Sequence, residues 1–327
     1  MKAITDKQHE LFDNFINTHD NFIIAGHKEP DGDCIASSLV LASILKQIGK
    51  TYTVMSQGPF RRSEVGLYEE LFQKEYDILT VDLKKTGLFI VDCSEMHRLG
   101  EDIEKQVAGF DTFIIDHHKT SHTDNEYSII DCTAPATVSL IQQLYEHRFG
   151  EIAEDDARLL FFGLATDTGF FRFLDTTSEN IFVAASRLVK AGANPHKTYE
   201  KIQSGKPFDT RKLLSIVLGR ATQYFDGRLI ITFETMADTK KYARDGRDTD
   251  MLYQILLATD KAEAVVFLRQ ESGTQCTAGF RSKGDVDVSA VAAVFGGGGH
   301  KNAAGLSTPA IVDTLMQKII VEFSKIF

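Results

Sequence analysis

The chain lacks three things that would define its class at once. It has no run of about 18 apolar residues, so no membrane-spanning helix is expected. Its four cysteines (Cys34, Cys93, Cys132 and Cys276) show no C-x-x-C spacing, which argues against a disulfide scaffold and favours a reduced, cytoplasmic protein. It has no surplus of positive charge. The formal net charge of −10 argues against a large basic surface for long nucleic acid and leaves a small anionic substrate as the better fit. Residues Met1 to Asp6 lack an apolar h-region and a cleavage pattern, so no signal peptide is expected. With 43% hydrophobic and 25% charged residues the composition is that of a globular protein. A length of 327 residues suggests about two domains.

Apolar runs of strand length alternate with helical patterns through the first half. Phe22 to Gly26, Tyr52 to Met55, Leu88 to Asp92, Thr112 to Asp116 and Tyr127 to Ile130 read as strands. Asp6 to Thr18, Ile35 to Ile48, Val65 to Phe72, Ala136 to Phe149, Ala153 to Ala165 and Ser178 to Lys190 read as helices. This order predicts an α/β fold, with a mainly parallel sheet flanked by helices. Near Ala191 the character turns polar, and Gly205-Lys206-Pro207 breaks the pattern. The expected organisation is a first domain over 1–191, a linker and connecting helix over 192–222, and a smaller α/β domain with a mixed sheet over 223–327.

Four segments carry the chemistry: His27-x3-Asp31-x-Asp33, Asp92, Asp116-His117-His118, and Asp167 within Ala165 to Gly169. Each is expected where a strand ends, and in open α/β sheets ligands bind beyond the carboxyl ends of the strands. So many carboxylates aimed at one crevice are stable only if cations fill it. The competing reading of the first segment is a solvated turn in which Asp33 caps the next helix. Adjacent histidines at a strand end cannot both face a core, because side chains alternate. Cys34 and Cys93 each follow a candidate ligand aspartate and are read as small buried side chains rather than ligands. In the second half, Gly296 to His300 with Asn302 could form a backbone nest for an anion, with Arg281 and His300 as donors. Phe161-Phe162 and Phe170-Phe171-Arg172-Phe173 could stack a base, although core packing is the plainer reading for most of them.

In this order the motifs resemble the DHH phosphoesterase superfamily. The segments Arg281-Ser282-Lys283 and Gly296 to Gly305 resemble its DHHA1 domain. The length resembles the stand-alone subgroup of nanoRNases that also dephosphorylate 3′-phosphoadenosine 5′-phosphate (pAp). The resemblance implies two divalent cations. The first would be held by His27, Asp31 and a bridging Asp92, and the second by Asp33, Asp92, His117 and Asp167. It further implies that Asp116 orients a histidine and that His118 touches the nucleophile or a phosphoryl oxygen. Arg281, Ser282, Gly298, Gly299, His300 and Asn302 would bind substrate.

Mixed carboxylate and imidazole donors without cysteine favour manganese, with magnesium or iron as alternatives. The implied activity is metal-assisted hydrolysis of short oligoribonucleotides and pAp by a cytoplasmic enzyme, with a homodimer left open. A cyclic di-AMP or pApA phosphodiesterase is the rival enzyme. A metal-dependent nucleotide sensor without turnover is the rival of another class. A polyphosphate or pyrophosphate hydrolase is disfavoured, because its pocket should be densely lined with Lys and Arg.

Overall fold

The computed structural model describes residues 1–76, 82–118, 125–243 and 246–327. It forms two compact units, Met1–Gly205 and Lys206–Phe327.

The first unit is built on five parallel strands in the order β2-β1-β3-β4-β5. They are β1 (Asn21–Gly26), β2 (Thr51–Met55), β3 (Thr86–Val91), β4 (Asp111–Asp116) and β5 (Ser128–Ile130). The central strands are apolar on both faces because both faces are covered. Phe22, Ile24, Phe89, Val91, Phe113 and Ile115 join one core. Helices α1 (Asp6–Thr18), α2 (Gly32–Gln47), α4 (Thr137–Phe149), α5 (Glu154–Asp167) and α6 (Glu179–Lys190) add buried residues to that core. The alternate residues Ile23, Ala25, Leu88, Ile90 and Ile114 pack on the other face with Ile103 and Val107 of α3 (Glu101–Val107). The chain leaves β1 toward β2 and returns to the other side of β1 as β3. The strand order therefore reverses between β1 and β3, where such sheets open a crevice at their carboxyl ends.

Two glycines let the helices around that crevice approach closely. A Cβ on Gly32 would meet Thr166 Oγ1 at 2.4 Å, and one on Gly163 would meet a Val138 methyl at 2.6 Å. Helices α2, α4 and α5 thus pack at contact distance beside the strand ends.

The expected Val65–Phe72 helix is a 3-10 turn over Gly66–Leu71. The polar stretch expected to link domains holds α7 (Pro195–Gln203), started by the Asn194 cap and Pro195, and lies in the first unit.

The second unit carries a six-stranded mixed sheet, β10-β11-β9-β8-β7-β6. Its strands are β6 (Thr222–Tyr224), β7 (Leu229–Glu234), β8 (Ala264–Gln270), β9 (Gln275–Ser282), β10 (Gly298–His300) and β11 (Ala303–Pro309). One face packs against α11 (Val288–Val294) and α12 (Val312–Phe323). The other packs against α8 (Phe208–Gly219) and α10 (Thr249–Leu257), which lie over β7 and β8. The short helix α9 (Met236–Tyr242) closes the β7 end. No described helix is long and apolar enough to cross a membrane.

Candidate metal centre

Each residue of the cluster owes its place to a local device. Asp31 is the N-cap of α2, and its Oδ1 accepts from the N–H groups of Asp33 (3.0 Å) and Cys34 (3.2 Å). The cap expected of Asp33 therefore belongs to Asp31. Asp33 points inward and is fully buried. Its carboxylate oxygens accept from the N–H groups of Thr137 (2.6 Å) and Val138 (2.9 Å) in the first turn of α4, where free donors and the helix dipole favour an anion. Sequence reasoning missed this clamp, because it joins positions more than 100 residues apart.

Asp92 follows β3 with φ +61°, a backbone region that costs energy for a side chain larger than glycine. Its two oxygens face opposite ways. Oδ2 lies 3.4 Å from His27 Nε2, while Oδ1 lies 3.6 Å from His117 Nε2 and accepts from Thr137 Oγ1 at 2.9 Å. His117 Nε2 also lies 3.8 Å from Asp33 Oδ2 and 3.5 Å from Asp167 Oδ2. Asp167 reaches the cluster from the C-terminal end of helix α5, not from a strand end as the sequence suggested. The long apolar run before it belongs to a helix wedged against α2.

Both inner histidines are oriented by a backbone carbonyl. His27 Nδ1 contacts the Lys28 carbonyl at 2.9 Å and His117 Nδ1 the Ala134 carbonyl at 3.2 Å, so each Nδ1–H donates and each Nε2 is turned to the carboxylates. His118 differs. Its Nδ1–H donates to Asp116 Oδ1 at 2.8 Å, and its side chain is 42% exposed. Asp116 Oδ1 also accepts from the backbone N–H groups of His117 and His118, which locks the turn after β4.

The electrostatics follow from this crowding. Burial first, then the charges of Asp92, Asp167 and Asp31, push the Asp33 carboxyl well up. Burial and then Asp31 push Asp92 well up. The same two causes, in that order, raise Asp167 to about 6. Burial, followed by His118, lowers His117, whereas the hydrogen bond to Asp116 raises His118. Two imidazole Nε2 atoms thus converge with crowded carboxylate oxygens at 3.4–3.8 Å. Divalent cations among them would relieve the burial and mutual repulsion of the carboxylates, so the donor set fits them. Two compatible groupings are Asp33-His117-Asp167 and Asp92-His117-His118; a third is His27-Cys34-Asp92. Cys34 is a poor donor there, because burial and the adjoining carboxylates push its thiol well up.

In the second unit the structure sorts the expected substrate residues by face. Gly298, His300 and Arg281 share one face through the pairs Gly298–Gly305, His300–Ala303 and Ala303–Arg281. Gly299 and Ser282 lie on the other. Ser282 donates to the Val286 carbonyl at 2.7 Å and accepts from Asn302 Nδ2 at 3.0 Å, so both side chains are spent on the turn beside β9. The expected nest is instead partly a strand: Gly298 to His300 are paired in β10. Of the aromatic candidates, Phe161 and Phe162 are buried in the core, Phe170 and Phe171 pack against it, and Phe173 is exposed.

The sequence pattern of the DHH family, N-terminal domain, matches residues 21–164, and that of the DHHA1 domain matches residues 226–326. The chain is similar to the bifunctional oligoribonuclease and PAP phosphatase NrnA of Thermus thermophilus, with 31% identity over 301 residues covering 91% of this chain and 87% of the relative. The protein of the same name from Bacillus subtilis is 24% identical over 298 residues, covering 89% and 90%. In fold, the chain resembles the crystal structure of an exopolyphosphatase-related protein from Bacteroides fragilis, with a TM-score of 0.86, 21% identity and coverage of 100% and 99%. With the clustered carboxylates and histidines at the strand ends, these matches establish that the chain belongs to the DHH family and carries a DHHA1 domain.

Proposed function

We propose that the chain is a two-metal phosphoesterase that hydrolyses short oligoribonucleotides to mononucleotides and removes phosphate from pAp. The observation that carries this reading is the divided Asp92 carboxylate, with one oxygen turned to His27 and the other to His117. The similarity to two NrnA proteins over most of their length supports the substrate class.

In this reading His27, Asp31 and Asp92 Oδ2 would hold one cation. Asp33, Asp92 Oδ1, His117 and Asp167 would hold the other. Carboxylate and imidazole donors without thiolate suit manganese, with magnesium and iron(II) as the competing ions. When bound, the cations supply Lewis acidity toward the phosphoryl group and toward the attacking water. The α4 N–H groups donate to Asp33 and favour its ionised form against the effect of burial, and the carbonyls of Lys28 and Ala134 hold the Nδ1 protons of His27 and His117, so that each Nε2 is turned to the carboxylates. His118 holds its Nδ1 proton against Asp116 and directs Nε2 outward. Its raised pKa favours the protonated ring, which can donate from Nε2 to a phosphoryl oxygen.

The test is a side-by-side assay of pAp, a diribonucleotide and cyclic di-AMP with manganese. Inorganic phosphate from pAp and mononucleotides from the dinucleotide are expected. Turnover of the cyclic substrate alone would replace this reading by the cyclic-dinucleotide one. Binding without any hydrolysis would make the chain a sensor.

A further inference from the structure

One residue holds two carboxylates of the cluster at once. Thr137, fully buried at the start of α4, donates its backbone N–H to Asp33 Oδ2 at 2.6 Å and its hydroxyl to Asp92 Oδ1 at 2.9 Å. The hydroxyl is the donor, because an ionised carboxylate only accepts. A threonine in a helix ordinarily turns its hydroxyl back to a carbonyl of the preceding turn. Thr166 and Thr168, on either side of Asp167, do so: their hydroxyls donate to the Gly163 carbonyl at 2.8 Å and the Leu164 carbonyl at 2.6 Å. Thr137 is the first residue of its helix, so no helical carbonyl precedes it and its hydroxyl goes to the cluster.

The two oxygens that Thr137 holds are the same two that converge on His117. Asp33 Oδ2 lies 3.8 Å and Asp92 Oδ1 3.6 Å from His117 Nε2. The opposite oxygen, Asp92 Oδ2, is turned to His27. On that side the supports are different. His27 is held by the Lys28 carbonyl, and Asp31 by the N–H groups of Asp33 and Cys34, all on the turn between β1 and α2. The hold of α4 on the cluster is therefore one-sided. A carboxylate oxygen has two lone pairs. On Asp92 Oδ1 the Thr137 hydroxyl takes one and leaves the other for the His117 side. Without that bond the carboxylate can turn about its Cβ–Cγ bond and give both oxygens to the His27 side.

We propose that Thr137 positions the donors of one cation only, the one assigned to Asp33, Asp92 Oδ1, His117 and Asp167. Its amide and hydroxyl pin the facing oxygens of Asp33 and Asp92, keep the Asp92 carboxylate divided between two cations, and leave the His27–Asp31 side alone. Thr137 is a positioning residue, since it acts through the two aspartates. This rests on the two-metal reading of the preceding section.

The experiment uses the full chain with Thr137→Val, which keeps the branched shape and the N–H but removes the hydroxyl. Thr137→Ala removes it without setting a methyl against the carboxylate, and Thr137→Ser restores it. Melting in chelator, manganese uptake read by the electron paramagnetic resonance of the free ion, and kcat and KM for pAp across a manganese titration are measured. Valine and alanine should lower melting in chelator by a few degrees only. Each should weaken one of two manganese ions about 10- to 100-fold and leave the other within about threefold. At limiting manganese kcat should fall, and saturating manganese should recover it with KM for pAp held. Serine should bind both ions within about threefold of wild type. Anomalous scattering from crystals of the valine variant at limiting manganese should show the peak against His27 and Asp31 and lose the one against His117. Valine and alanine variants that take up both ions like wild type would overturn the proposal. So would an equal loss at both sites, or a serine variant as weak as valine. Wild type that bound a single ion would instead bring down the two-metal reading, and this proposal with it.

Discussion

Replacing Asp167 by asparagine should stabilise the metal-free protein and weaken the metal-loaded one. Asp167 is raised from 3.8 to about 6, mainly by burial and then by the negative charge of Asp31. A displacement of roughly two pH units corresponds to about 3 kcal/mol for keeping the group ionised at neutral pH. Its side chain is 28% exposed, so solvent screens part of this and about 1–3 kcal/mol remains. The sign follows from the direction. The folded, metal-free chain holds this proton to higher pH than the unfolded chain does. Its stability therefore falls as pH rises from about 4 through about 6. The substituted amide carries no such proton, so the metal-free variant should melt about 3–8 °C above wild type at pH 7 and lose that advantage on acidification. Saturating manganese should reverse the order, since a ligand stabilises the folded state in proportion to its affinity for it. Scanning calorimetry with chelator and with manganese, at pH 5 and pH 7, gives all four values. A metal-free variant less stable than wild type at pH 7, or equal stabilisation of both by manganese, would refute the reasoning.

Other outcomes follow from the same geometry. His118→Phe should keep manganese affinity within about threefold while lowering kcat about 100-fold or more, because it removes a donor aimed at the phosphoryl group; steady-state kinetics with a manganese titration checks both. Asp238, depressed to about 2 first by the hydrogen bond from Arg220 and then helped by its Thr235 capping contacts, should contribute about 1–2 kcal/mol above pH 4. That contribution is lost as pH falls toward 2, so the urea midpoint of Asp238→Asn should lie below wild type at pH 7 and converge with it in acid. Phe89, fully buried among Phe12, Phe15, Phe22 and Phe113, should cost about 3–5 kcal/mol on truncation to alanine, read as a lower urea midpoint of the first unit.

Much of the site could be read in the sequence because it sits on the most regular part of the fold. Four apolar runs become β1, β3, β4 and β5 almost unchanged, and the ligand-type residues at His27, Asp92 and His117 follow directly from three of them. What stayed hidden depends on distant partners. Nothing near Asp33 announces that Thr137 and Val138 will clamp it. Ala153 to Ala165 reads as a helix, so Asp167 belongs at a helix end, and grouping it with the three strand-end segments obscured this. Asp92 was expected at a strand end, but its left-handed backbone, which turns the carboxylate toward both histidines, has no local signature. The short helices α3, α9 and α10 were missed because their lengths give too few turns for a clear period. The glycine segment read as a nest because glycine seldom builds strands. Its extended form is imposed by pairing with β11.

The most direct test of the central claim is the anomalous scattering from a crystal of the protein grown with manganese. Two peaks are predicted, sharing Asp92, one against His27 and Asp31 and the other against Asp33, His117 and Asp167. A single peak that does not touch Asp92, or manganese bound only elsewhere, would contradict the account.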